Sequence, residues 1–275
     1  MTRKNKLFFV LIFGGILILG MQVFSRTTNF LDNGSLKISS QSMDKNILVK
    51  ENPSKKENTS KTESFDSNKI KNLERAVAIT FDDGPNEITT LQVLDILKDK
   101  NVQATFFMLG ENVIKNKGIV KRISKSGHEI GNHSFSHKQL TLLSNEEIKR
   151  ELGKTDQAIY KATGQMPQYI RPPYGSIDKN VAEIGKRPFI EWSVDSRDWE
   201  SKNKESIIEE IKNQVYSGSI LLFHDIQPAT VEALPEVIDD LYSQNYEFFT
   251  ISQLLQSPKQ VINYYGINDH RGIME

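Results

Sequence analysis

Ala76-Val77-Ala78-Ile79-Thr80-Phe81-Asp82-Asp83-Gly84-Pro85 is the stretch from which the rest of the chain can be read. Residues 76 to 81 form a β-rich run, and the Asp-Gly-Pro that follows is a common turn signal. The turn alone would make this an ordinary strand end. Two adjacent carboxylates, however, repel each other unless a cation or a division of protonation roles holds them. The pair therefore marks a candidate site as well as a strand terminus.

Working outward, further β-rich runs fall at residues 103 to 109, 128 to 132, 168 to 171, 188 to 194, 219 to 223 and 247 to 250. Between them lie amphipathic helical patterns at 89 to 100, 111 to 126, 145 to 163, 204 to 217 and 231 to 244. Ser144 precedes Glu147 at capping-box spacing, and Ser201 and Thr230 stand ahead of helical runs. Strands alternating with helices predict an α/β fold with a largely parallel sheet. Periodicity leaves an incomplete (β/α) barrel and an open doubly wound sheet equally open, and no internal repeat is visible. Asp82 and Asp83, His133 and His137, Arg171, Asp195 and Asp198, and His224 all fall at or just after a strand end. In both architectures that edge forms the active face.

Gly131-Asn132-His133-Ser134-Phe135-Ser136-His137 sets two imidazoles four residues apart. On one face of a helical turn they would grip one metal ion, with a carboxylate from elsewhere completing a catalytic set of three. A chance surface pair is the plainer reading, but the chain has only five His, and His224 ends a later strand. Arg171-Pro172-Pro173-Tyr174-Gly175, Asp195-Ser196-Arg197-Asp198-Trp199 and Leu221-Leu222-Phe223-His224-Asp225 each pass singly for a rigid loop, a charged turn and a capped strand.

The five blocks in this order resemble the polysaccharide deacetylases of carbohydrate esterase family four, whose shared region is the NodB-homology domain. The resemblance spans residues 75 to 256, about two thirds of the chain. It implies a distorted (β/α) barrel, one divalent metal ion (zinc, with Co, Ni, Mn or Fe as alternatives) and removal of acetyl groups from amino sugars. Carried over by position, it makes Asp83, His133 and His137 the metal ligands and Asp82 the general base. His224 becomes the general acid, and Asp198 keeps it protonated and turned. Arg171 would hold Asp82 ionised, because a neighbouring cation lowers a carboxylate's pKa. Trp199 and Leu222 would line a pocket for the acetyl methyl, and the backbone N–H of Tyr174 would stabilise the oxyanion.

Composition narrows the setting. There is no cysteine, so any metal must be held by His and carboxylates. Net charge is zero overall; residues 1 to 74 carry 12 Lys or Arg and 7 acids, leaving 23 bases and 28 acids for residues 75 to 275. That mild acidity argues against a nucleic-acid partner. Arg3, Lys4 and Lys6 precede an apolar run from Leu7 to Phe24 with no small-residue cleavage site behind it. Residues 1 to 25 read as an uncleaved membrane anchor, with secretion after cleavage as the alternative, and the basic flank orients the remainder outside. Residues 26 to 74, rich in Ser, Asn, Lys, Thr and Glu, read as an extracellular linker. The catalytic domain is expected at 75 to 256, with a C-terminal tail of no assignable role at 257 to 275.

An anchored, outward-facing domain favours the cell's own peptidoglycan, and N-acetylglucosamine within it, as substrate. Chitin oligomers, N-acetylmuramic acid and O-acetylated glycans are the alternatives within the enzyme reading. An inert carbohydrate-binding module would lose a ligand or the acid, and none is lost; a metal bound only for stability needs neither Asp82 nor His224. No obligate protein partner is evident.

Overall fold

The computed structural model describes residues 75 to 273. The expected anchor and linker lie outside them, and no helix among the described residues is long and apolar enough to cross a membrane. The fold is α/β. Strands β1 (Ala76–Asp82), β2 (Thr105–Met108), β3 (Glu129–Asn132), β5 (Val194–Asp195) and β6 (Ser219–His224) form a parallel sheet in the order β3-β2-β1-β6-β5. Strand β7 (Glu247–Phe248) pairs with the start of β1. A second sheet joins β4 (Phe189–Ile190), β8 (Asn263–Tyr264) and β9 (His270–Arg271). Single bridges link Asn132 to Ile170 and Ile170 to Phe189.

Strand β1 is buried along its whole length, and its alternation sorts side chains between two apolar clusters. Val77, Ile79 and Phe81 pack outward with Phe106 and Phe223 under the helices, the Phe81 and Phe106 rings stacked at 4.9 Å. Ala76 and Ala78 face the other way, onto Phe107, Tyr169, Ile190 and Ile220. The same period carries Thr80 and Asp82 to that inner side, where Arg171 reaches both. Asp82 pairs in register with Phe107 of β2 and with His224 of β6. Gly131 of β3 is required by space, since a Cβ there would meet the Phe107 ring at 2.2 Å.

The helices are α1 (Thr89–Asp99), α2 (Gly110–Lys115), α3 (Lys117–Lys125), α4 (Asn145–Thr163), α5 (Lys179–Gly185), α6 (Asp198–Ser201), α7 (Lys204–Gln214), α8 (Pro228–Ser243) and α9 (Ile251–Leu254). Helix α4 starts on the expected Ser144–Glu147 capping box and stops at Gly164, whose φ of 78° is the left-handed C-terminal signature.

Other expectations are corrected. The helix expected at 111 to 126 breaks at Asn116 (φ −120°, ψ 42°), whose side-chain amide instead binds Pro85 O at 3.0 Å. Helix α7 is capped by Asn203, not Ser201, which closes α6. Helix α8 begins on Pro228, so Thr230 lies in its first turn. The run 188 to 194 is two strands, 168 to 171 shrinks to the single bridging residue Ile170, and α5 had no strong periodicity to announce it. Residues 257 to 273 supply β8 and β9, and Tyr264 and Ile267 pack against the inner cluster.

Candidate active site

The site begins where β1 ends. Asp82 is nearly sealed from solvent, at 2% exposure, and Arg171 is fully buried beside it. Arg171 Nη1 donates to Asp82 Oδ1 at 2.8 Å and to Thr80 Oγ1 at 2.7 Å. Its Nε and Nη2 donate to the carbonyls of Ile190 and Glu191, and its plane lies over the Phe107 ring. Burial outweighs Arg171, which acts on Asp82 in the direction expected from the sequence. Burial pushes the Asp82 carboxyl above its usual range, and Arg171, the largest opposing influence, reduces that rise without reversing it. The sequence shows the cation but not the depth of burial.

Asp83 leaves the strand with a left-handed backbone, φ 74°. That turns its carboxyl toward the loop after β3, where His133 and His137 wait. These two do not share a helical turn, as their spacing suggested: residues 133 to 139 form no helix, and positive φ at Ser134 and His137 folds the loop. Asn132 Oδ1 accepts from Ser134 N, and buried Glu151 of α4 accepts from the N–H groups of Phe135 and Ser136. His133 Nδ1 meets Arg171 O at 2.7 Å. Burial, foremost, drives His133 down to about 3, so its ring is neutral and Nε2 keeps a lone pair. His137 Nδ1 meets the Tyr174 hydroxyl at 3.2 Å, with the rings edge to face at 4.7 Å.

Whether this triad suits a metal can be judged from its donor atoms. His133 Nε2 and His137 Nε2 lie 3.6 and 3.4 Å from Asp83 Oδ1. Bonds of about 2.0–2.2 Å in a tetrahedron set their donors about 3.4 Å apart. Asp83 Oδ1 is buried and has no hydrogen-bond partner, an acceptor left for a cation. Asp83, His133 and His137 are also the one group of potential metal ligands converging among the described residues. The donors fit a divalent ion.

Across the cleft, His224 Nδ1 faces Asp198 Oδ1 at 2.7 Å. Asp198 is fully buried, and its Oδ2 accepts from His224 N and from the Thr230 hydroxyl. Burial disfavours the His224 imidazolium, but the Asp198 hydrogen bond and charge, with Asp82 and Asp83 behind them, outweigh it and push the ring up to about 9. Asp82, Asp83, His133, His137, Tyr174, Trp199, Leu222 and His224 line a single cleft of about 400 Å³. Two further residues line it, Trp192 and Asp195, to which the family resemblance assigns no role. Asp195 stood in a quoted motif; Trp192 carried no signal beyond preceding it by three positions.

A family model for polysaccharide deacetylases matches residues 69 to 188. A solved family 4 acetyl xylan esterase from Clostridium thermocellum, in complex with a cobalt ion, is 34% identical; the match covers 71% of this chain and 100% of that one, with a TM-score of 0.68. The chain belongs to the polysaccharide deacetylase family. Among relatives, the peptidoglycan-N-acetylglucosamine deacetylase PgdA of Listeria monocytogenes is 43% identical over 191 residues, 70% of this chain and 41% of that protein. The peptidoglycan-N-acetylmuramic acid deacetylase PdaC of Bacillus subtilis is 40% identical over 200 residues, 73% of this chain and 42% of that one. The match thus spans less than half the length of these two deacetylases.

Proposed function

We propose that this chain is a metal-dependent deacetylase that hydrolyses the N-acetyl groups of N-acetylglucosamine residues in peptidoglycan. The observation that carries this reading is one cleft that gathers a buried carboxylate, a His-His-Asp donor set whose spacing fits a divalent ion, and an imidazolium held by a second buried carboxylate. The first-named relative, a peptidoglycan-N-acetylglucosamine deacetylase, supports the choice of sugar. The pairing of β3 through Ile170 to β4 supports an incomplete (β/α) barrel.

Asp83, His133 and His137 would hold the ion. A bound divalent cation, zinc in the first instance, supplies Lewis acidity toward the acetyl carbonyl and favours ionised neighbours. Asp82, held by Arg171, accepts a proton from the attacking water as its oxygen bonds to the acetyl carbon. The scissile carbon–nitrogen bond then breaks with its electron pair on nitrogen, and His224 delivers the Nε2 proton there while Asp198 holds Nδ1. Free amine and acetate leave. Leu222 and Trp199 exclude water around the methyl, and the Tyr174 N–H donates to the developing oxyanion. The apolar segment at 7 to 24 would tether the domain at the outer membrane surface, near the wall.

The test is mass spectrometry of purified peptidoglycan and of N-acetylglucosamine oligomers after treatment with the full-length chain, with acetate assayed in parallel. Acetyl loss on glucosamine units, abolished by chelation and restored by zinc, is expected. Loss confined to muramic acid, or turnover in protein shown by elemental analysis to be metal-free, overturns the reading.

A further inference from the structure

Asp225 follows His224 and has no part in the chemistry above, yet it is 1% exposed. Its carboxyl lies against the turn that carries Asp83. A Cβ on Gly84 would meet Asp225 Oδ2 at 2.2 Å, Oδ1 at 2.3 Å and Cγ at 2.6 Å. Gly84 has no positive φ, so glycine is needed there for space rather than for conformation. Asp225 Oδ2 accepts from the Thr90 hydroxyl at 2.5 Å, and Thr90 Oγ1 accepts from Asn86 N at 2.7 Å, which closes a chain from the end of β6 to the far side of the same turn. Asp225 Oδ1 is buried without a partner.

The rest of the turn is held at its backbone. Asn112 of α2 donates to Asp83 O at 2.8 Å, Asn116 donates to Pro85 O, and Leu109 N donates to Gly84 O. These bonds grip carbonyls from the α2 side, while Asp225 and Thr90 bear on the turn from the β6 side. A ligand carboxylate in a left-handed position on a short turn moves if that turn rocks, and groups behind a metal ligand commonly tune affinity ten- to a hundredfold.

We propose that Asp225, braced by Thr90, is a positioning residue that sets the Asp83 carboxyl for metal binding. The inference rests on the metal reading above. Asn at 225 keeps the shape over Gly84 and an acceptor for Thr90; Ala removes both. Zinc affinity of the full-length chain, measured by calorimetric titration, is therefore expected to fall at least about tenfold in Asp225→Ala and to stay within about threefold of wild type in Asp225→Asn. The metal-free melting temperature is measured alongside, and the affinity loss is expected to exceed what a parallel loss of fold explains. If Asp225→Ala does not fold, Thr90→Val removes the same brace from its other end and is expected to weaken zinc in the same direction. Wild-type affinity in a folded Asp225→Ala or Thr90→Val protein overturns the inference while leaving the metal reading intact. Failure of the wild type to take up zinc overturns both.

Discussion

Arg171 Nη1 sits 2.8 Å from Asp82 Oδ1, with the guanidinium fully buried and the carboxylate all but sealed where it meets the cleft. The pair is a buried ion pair whose guanidinium also satisfies Thr80 and two main-chain carbonyls. Removing one partner leaves the other charge uncompensated in a low-dielectric interior. Arg171→Met is expected to cost about 3–5 kcal/mol at neutral pH. The variant's Asp82 then rises further above its unfolded-state value, so stability falls as pH rises through that range. Urea titrations of metal-free protein at pH 4 and pH 7 should show the smaller deficit at pH 4; equal deficits would mean the guanidinium acts only through its main-chain bonds.

Asp82 and Asp83 are adjacent in sequence and divided in structure. Asp82 gives Oδ1 to Arg171 and keeps Oδ2 3.7 Å from His133 Nε2, whereas Asp83 turns one oxygen to both His rings. Asp82→Asn keeps the shape but accepts no proton, so zinc binding should survive while kcat drops at least about a hundredfold. Loss of zinc from this variant would show that the two roles are reversed.

The basic limit of activity should lie above the ordinary imidazole range, where His224 loses its proton, with the bound cation offsetting the part of the rise that Asp82 and Asp83 contribute. Its raised value is maintained against burial by the Asp198 bond and charge. In Asp198→Asn that support is gone, and the protonated form survives only to lower pH. Profiles of kcat/KM at saturating metal should show the basic limb moved toward neutrality and a lower maximum. A limb that stays in place assigns it to a group other than His224.

Phe106 carries no chemistry. Its ring stacks on Phe81 in the outer cluster at 1% exposure. Phe106→Ala opens a cavity beneath the strand that ends in Asp82 and is expected to cost about 3–5 kcal/mol, read as a lowered urea midpoint at unchanged slope. A midpoint shift under about 1 kcal/mol would mean that the neighbouring side chains collapse into the space.

Residue types, order and periodicity within the chain determined the α/β class, the capped start of α4 and most of the residues that bear on the cleft. Adjacent carboxylates, two His four apart, and a His closing an apolar strand are local patterns, legible because each depends on neighbours in sequence. Strand ends share one rim in any parallel sheet, so even the clustering was readable. Tertiary structure decided what depends on distant partners. Left-handed backbone at Asp83, Ser134 and His137, not a helical turn, brings the donor atoms together, and hydrogen bonds from Asn112 to Asp83 O, from Ser134 N to Asn132, from Phe135 N to Glu151 and from His137 N to Ser134 accompany those angles. Burial depth decided that Asp82 sits above rather than below its ordinary range. The brace from Asp225 to Gly84 joins residues 141 positions apart, and nothing local marks it. The β8–β9 segment, too short to carry a period, takes its form from pairing with β4.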